Sequence, residues 1–283
     1  MSADSVALLT EAEKLARVAN AISGAYATEL GRVLRDLERA LRTLAQEAID
    51  GSRTALSRAV RAGQLRRQIK RALTAAGYDA LAETTTSRGL NRLVVQLGRL
   101  RGAAQLAAFS VTDDASILAL KELARIDVLG QGEAIAQSLW RTLAQGLFSQ
   151  RPVRDLLEDL SDAIDIEMAE ARTLYDTTVS VFGRQVESMK SLPDDVFAYV
   201  GPVDRVLRPF CRQHVGRVYT RPQINALDNG QIPNVFLTGG GYNCRHVFQT
   251  VSEVSELAEL VDTDARIPEV SAQLLSVGGR RAA

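Results

Sequence analysis

The sequence predicts a mostly α-helical protein, with a long-helix N-terminal domain followed by a small α+β C-terminal module. Three observations predict it. Ala, Leu and Arg dominate the first two thirds of the 283 residues and aromatics make up only 5%, a mixture that favours long helices packed through aliphatic side chains. Apolar residues in that part recur at spacings of three and four. Near Lys190 the composition changes, and Pro193, Pro202, Pro209, Pro222 and Pro233 then punctuate the chain together with clustered glycines. The divisions read as 1–190, a helical scaffold or docking domain; 191–252, a small module; and 253–283, a short helix and polar tail.

Taken in order, Leu8, Leu15, Val18 and Ile22 lie at helical spacing, as do Leu30, Val33, Leu34, Leu37, Leu41 and Leu44. The stretch from Ile22 to Ile49 suits a long hairpin arm or coiled coil. Breaks are expected at Gly51, Gly63, Gly77-Tyr78 and the Thr84-Thr85-Thr86-Ser87 run. Asp113-Asp114 caps a helix carrying Ile117, Leu118 and Leu120, and Gly130 and Gly132 break the chain before Ile135, Leu139, Leu143 and Leu147. Pro152, following Ser149 as a cap, opens a segment bearing Val153, Leu156, Leu157, Leu160 and Ile164. In the module, Val196 to Val200, Arg217 to Tyr219 and Cys244 to Thr250 read as strands, and Pro222 to Ala226 as a short helix. An amphipathic segment from Glu253 to Val261 leads into a polar tail ending Gly278-Gly279-Arg280-Arg281. No repeat of fixed period is present.

The 46% hydrophobic content supports a buried core. The formal net charge of zero provides no global attraction to nucleic acid or membrane. That zero conceals an asymmetry. Arg53, Arg58, Arg61, Arg66, Arg67, Lys70 and Arg71 occur with no acidic residue between them, whereas Asp155 to Asp176 runs through Glu158, Asp159, Asp162, Asp165, Glu167 and Glu170. Two solvated helix faces are the plain reading; the sharper one is a basic face that meets packaged DNA or an acidic partner subunit. No apolar stretch approaches the ~20 residues of a membrane span. The opening MSADSVALLTEAEK has acidic residues and no basic region before an apolar block, so a signal peptide is not expected.

Both cysteines and both histidines lie in the small module, as Cys211-x-x-His214, 29 intervening residues, and Cys244-x-His246. Two close pairs separated by a loop suit a tetrahedral, structural zinc site without an open position for a catalytic water. The first pair would chelate from a turn after Pro209, and the second from one face of a strand. The alternatives are metal-free packing, with cysteines as small hydrophobes and histidines hydrogen-bonded in loops, and a Cys/His nucleophilic pair, for which no orienting group is evident.

Around these residues the module reads Tyr199-Val200-Gly201-Pro202-Val203-Asp204, Arg208-Pro209-Phe210-Cys211, His214, Gly216-Arg217-Val218-Tyr219 and Gly239-Gly240-Gly241-Tyr242-Asn243-Cys244-Arg245-His246. This order resembles the C-terminal module of the phage Mu F-like head-morphogenesis (minor head protein) family. The likeness spans about 50 residues, Tyr199 to Phe248, and the closing Gly-Gly-Tyr-Asn-Cys-Arg-His is its most specific part. Upstream, Ala171-Arg172-Thr173-Leu174-Tyr175 is a looser likeness, with Leu174 where the family commonly has Glu. The first 140 residues carry no assignable motif.

The resemblance implies a low-copy structural component of a tailed-phage head, made in the host cytoplasm and resident in the virion. Its expected partners are the portal or the major capsid protein, with packaged DNA and further copies of the chain as additional possibilities and no membrane. Gly240, Gly241 and Asn243 are expected to form a tight positive-φ turn before the ligands, and Gly216 another turn. Arg245 and Arg208 are expected to bond Asp204 or nearby carbonyls, or to be surface groups. About 30 residues follow the module, too few for a toxin or enzymatic domain, so enzymatic activity is not expected. Two other readings stay open. One is an internal or ejected DNA-binding protein using the Arg53–Arg71 face. The other is a hydrolase with His214 or His246 as base, or a zinc-held water, for which Asp204 and Asp228 are the only candidate carboxylates nearby.

Overall fold

The computed structural model describes residues 3–50, 54–252, 255–261 and 263–279. Its helices are α1 (Ala3–Asp50), α2 (Ala55–Ala75), α3 (Tyr78–Thr84), α4 (Leu90–Ala103), α5 (Val111–Phe148) and α6 (Val153–Ser188). The module then runs β1 (Val196–Val200), α7 (Pro209–His214), β2 (Val218–Thr220), α8 (Arg221–Asn225), α9 (Val235–Thr238) and β3 (Val247–Val251). A 3₁₀ turn at Glu256–Leu260 and α10 (Pro268–Gly279) complete the described chain. Long N-terminal helices with a small α+β region after them are therefore present, and no helix among the described residues is long and apolar enough to cross a membrane.

Gly63, Gly130 and Gly132 do not break the chain where the sequence suggested, and Gly51 lies outside the described residues. Gly63 lies within α2, and Gly130 and Gly132 lie within the unbroken α5. At Gly132 the reason is packing, because a β-carbon there would come 2.5 Å from the Tyr78 ring. Gly77 does end a helix, with φ of +96°. The threonine run keeps the chain helical as a π-helical turn, Thr85–Gly89. Thr85 and Thr86 each donate a hydroxyl hydrogen to the carbonyl four residues back, at 2.6 Å, and this back-bonding accompanies the widened turn. α5 begins one residue after Ser110, whose amide donates to the Asp113 carboxylate at 2.6 Å; the aspartate thus closes the cap from inside the helix. Gln150, with φ of +55°, reverses the chain between α5 and α6.

Packing groups the chain differently from the composition change at residue 190. One compact unit comprises residues 23–87 and 123–175; the other comprises 1–22, 88–122 and 176–283. α1, α5 and α6 each contribute residues to both.

In the unit of 23–87 and 123–175, Leu30, Leu34, Leu37 and Leu41 of α1 are fully buried, as the three-and-four spacing predicts. Tyr26 stacks on Tyr175 with ring centroids 3.8 Å apart, and its hydroxyl donates to Gln131 at 3.3 Å. The Tyr78 hydroxyl donates to the Val128 carbonyl at 2.7 Å, so these buried phenols keep polar partners.

The other unit holds a three-stranded antiparallel sheet, order β2-β1-β3, in which Phe197 pairs with Tyr219 and Thr250, and Tyr199 pairs with Phe248. β1 matches the expected Val196–Val200; β2 is shifted one residue, and β3 begins at Val247 rather than Cys244. Pro222 stands in the first turn of α8, with Thr220 as its cap. The sheet is joined to the helices by a buried polar chain. Arg101 of α4 donates to Glu187 of α6 at 2.7 Å, and Gln249 of β3 donates to the same carboxylate at 2.7 Å.

The expected polar tail is a correction. Ile267 and Val270 are fully buried, and Pro268–Gly279 is helical. Gly216, at φ +82°, makes room: its β-carbon would lie 2.8 Å from Val270, and its carbonyl accepts the Ile267 amide at 2.8 Å.

Candidate metal centre

β1 places Tyr199 in the middle of the sheet, fully buried. Next to it α7 delivers Cys211 from its first turn, and the segment before β3 delivers Cys244 and His246. The two sulfurs lie 3.7 Å apart, and both cysteines are free thiols. A ligand-capable nitrogen of His246 and the two sulfurs all lie within 4.8 Å of one another, and all three residues are buried. Nε2 of His246 is buried without a hydrogen-bond partner, an orphan of the kind a metal would satisfy. This buried group could hold a metal.

His214, expected as the fourth ligand, is not part of the cluster. Its Nδ1 is 2.7 Å from the Tyr219 hydroxyl, and its ring lies against Phe210 at 4.4 Å. β2 carries Tyr219 past the end of α7, and that phenol captures the imidazole. Burial, then the charges of Arg217 and Arg266, push its pKa down to about 4. The second ligand pair differs from expectation too, since Cys244 and His246 lie in the irregular segment leading into β3 rather than in the strand.

Left-handed backbone recurs where the sulfurs are approached. Gly239, Gly241 and Asn243 have φ of +57°, +93° and +54°, so the expected positive-φ turn is present. Gly240 is needed for space instead. Its β-carbon would lie 2.4 Å from the Cys211 sulfur, and its amide donates to the Cys244 sulfur at 3.1 Å. Gly201 plays the same part at the end of β1, where a β-carbon would come 2.6 Å from the His246 ring.

Two arginines hold the turn. Arg245 makes a two-pronged pair with Asp204, at 2.6 and 2.8 Å, and the contact holds the Asp204 carboxyl below its usual range. Arg208 reaches the Gly240 carbonyl at 3.4 Å. The stronger fastening is Arg184 of α6, which the sequence did not single out. Almost wholly buried, it donates to the carbonyls of Leu237 (3.1 Å), Cys244 (2.7 Å) and His246 (2.8 and 3.0 Å). Its sequence neighbourhood gave no signal, since Thr177, Ser180, Glu187 and Ser188 at helical spacing from it are also polar.

The thiols are electrostatically unequal. Contact with Cys211 pulls the Cys244 thiol well below the usual range, against burial and with help from the Arg184 charge. Contact with Cys244, reinforced by burial, pushes Cys211 up. The two thiols therefore titrate as a coupled pair, the first proton leaving more readily than the second. The carboxylates considered for catalysis have structural partners: Asp204 has Arg245, and Asp228 accepts the Gly230 amide at 2.8 Å.

The basic face lies on α2, and Arg53 falls outside the described residues. Lys70 pairs with Glu133 at 2.6 Å, and the Arg66 guanidinium lies over Trp140 at 5.7 Å. Arg61 donates to Gln64 at 3.3 Å, Arg67 and Arg71 are exposed, and Arg58 is half-buried. Among the six described candidate cations, Lys70 and Arg66 are thus engaged by α5.

Fold and site define a mostly helical protein with a small sheet module built around a buried Cys/Cys/His cluster. No family model matches the chain, and no curated protein or solved structure matches it.

Proposed function

We propose that the chain is a minor structural protein of a tailed-phage head, whose C-terminal module is closed by a structural zinc ion on Cys211, Cys244 and His246. The observation that carries the reading is the part played by the residues of the resemblance. Asp204 and Arg245 pair, Gly240 lets the sulfurs approach, Asn243 turns the chain, and Cys211, Cys244 and His246 meet in the interior. Each serves closure of the module.

Zinc suits the donors. Thiolate and imidazole form a borderline-soft set, and zinc at such sites locks a fold rather than turning over. Cys211, Cys244 and His246 would hold the ion, and it would supply a cross-link between α7 and the segment before β3. In this reading the long helices dock to the portal or the major capsid protein, and the module is a stiff knob. Engagement of Lys70 and Arg66 by α5 weighs against the DNA-binding alternative.

Two measurements test the two halves. Purified reduced chain should contain about one zinc, lowered by Cys244→Ser; a stoichiometry near zero overturns the metal assignment. Mass spectrometry of purified particles of the encoding virus should find the chain, and electron microscopy should place it at the portal vertex or inner shell. Its absence from heads at every assembly stage overturns the virion assignment.

A further inference from the structure

We infer that the phenolic oxygen of Tyr199 is the fourth donor of the metal centre, completing the set begun by Cys211, Cys244 and His246. The inference deepens the zinc reading and rests on it.

The argument is geometric. A tetrahedral ion with metal–sulfur bonds of about 2.3 Å has a sulfur–sulfur edge of about 3.8 Å, and an oxygen about 2.0 Å from that ion lies about 3.5 Å from each sulfur. The Cys211 and Cys244 sulfurs are 3.7 Å apart, and the Tyr199 oxygen is 3.4 Å from each of them. Three corners of the required tetrahedron thus already stand at coordination spacing. The fourth belongs to His246, whose ring stacks on Tyr199 with centroids 5.3 Å apart and planes 21° apart. Its donor nitrogen lies within 4.8 Å of the sulfurs, against an ideal of about 3.6 Å, so a shift of at most about 1.2 Å brings it to bonding distance.

His214, the alternative fourth ligand, would have to leave the Tyr219 hydroxyl at 2.7 Å and its place against Phe210. Tyr199 has to move little, and its position in the central strand, paired on both sides, fixes its backbone. Charge also balances. Two thiolates neutralise a divalent cation, and a phenolate adds one negative charge. The buried guanidinium of Arg184, held on the Cys244 and His246 carbonyls, supplies one positive charge beside it. On binding, the Tyr199 O–H bond breaks, the metal–oxygen bond forms, and the proton passes to buffer.

The test is zinc titration of the full apo chain, following ultraviolet absorption and proton release together. Zinc addition to the wild type should generate the difference band of one ionised phenol. Tyr199→Phe should lose that band, release one proton fewer per zinc, and bind zinc more weakly by at least the roughly 10- to 100-fold that loss of an outer-shell partner costs. His214→Gln should change none of these. Zinc uptake by the wild type without the phenol band overturns the inference while leaving the zinc site standing, and requires no variant to fold. The inference also falls if Tyr199→Phe keeps wild-type affinity and proton count, or if His214→Gln is the variant that loses affinity. No zinc uptake at all overturns the metal reading and this inference with it.

Discussion

Arg184 donates both Nε and Nη2 to the single carbonyl oxygen of His246, at 3.0 and 2.8 Å, so a helix side chain fixes the backbone of a candidate ligand. The same guanidinium reaches the carbonyls of Cys244 and Leu237. Truncation leaves these buried acceptors unpaired. Arg184→Ala should destabilise the chain by roughly 3 kcal/mol in denaturant titration, and weaken zinc binding. Arg184→Lys should recover only part of the loss, because an ammonium cannot span the acceptors as the planar fork does. Unchanged stability in Arg184→Ala would show that the turn is held by its own backbone.

Gly240 makes a complementary case in which the missing atom matters. A β-carbon would sit 2.4 Å from the Cys211 sulfur, with Phe210 at 3.3 Å. Gly240→Ala should therefore cost about 1–3 kcal/mol from overpacking and push Cys211 away from Cys244. Zinc content per folded chain, measured beside the melting temperature, should fall. Full zinc content would mean that the sulfur finds another position without loss.

Parts of this arrangement were legible in the chain and parts were not. Leu30, Leu34, Leu37 and Leu41 announced a helix stripe because burial on one face imposes a local period. Val196–Val200 was recoverable because proline and glycine bracket an apolar run. Cys211, Cys244 and His246 stood out by their rarity and close pairing. His214 shared that rarity, but its partner was decided by Tyr219 across a turn, a tertiary choice that spacing does not encode. Arg184 lies 60 residues before Cys244, and only the folded chain brings them together. Gly132 looked like a helix break because the sequence alone does not reveal the Tyr78 ring that fills its missing side chain.

His214 gives a pH dependence with a definite sign. Its folded pKa is about 4, below the unfolded value of about 6.5, so the fold favours the neutral ring. The associated stability is complete above about pH 6.5 and is lost as pH falls through that value toward 4, by up to about 3 kcal/mol. His214→Gln, which keeps a polar group beside Tyr219 but does not titrate, should flatten unfolding free energy against pH across that window. Parallel profiles for wild type and variant would show that the imidazole is not held neutral by its surroundings.

Gly130 and Gly132 permit a test in which two neighbouring, chemically identical substitutions should have opposite signs. Both lie within α5, where replacing glycine by alanine relieves a backbone entropy cost of roughly 0.5–1 kcal/mol. At Gly130 a β-carbon would meet nothing within 4 Å, so Gly130→Ala should gain about that amount. At Gly132 it would come 2.5 Å from Tyr78 Cε1 and 2.8 Å from Cδ1. The Tyr78 ring has little freedom to withdraw, since its hydroxyl is bonded to the Val128 carbonyl at 2.7 Å and the residue is 1% exposed. Overpacking of about 1–3 kcal/mol should then exceed the helix gain, leaving Gly132→Ala less stable than wild type. Thermal melts of the two variants decide the point: a stabilised Gly132→Ala would mean that Tyr78 can be displaced without breaking its hydrogen bond, and that the glycine is not there for the close approach of the ring.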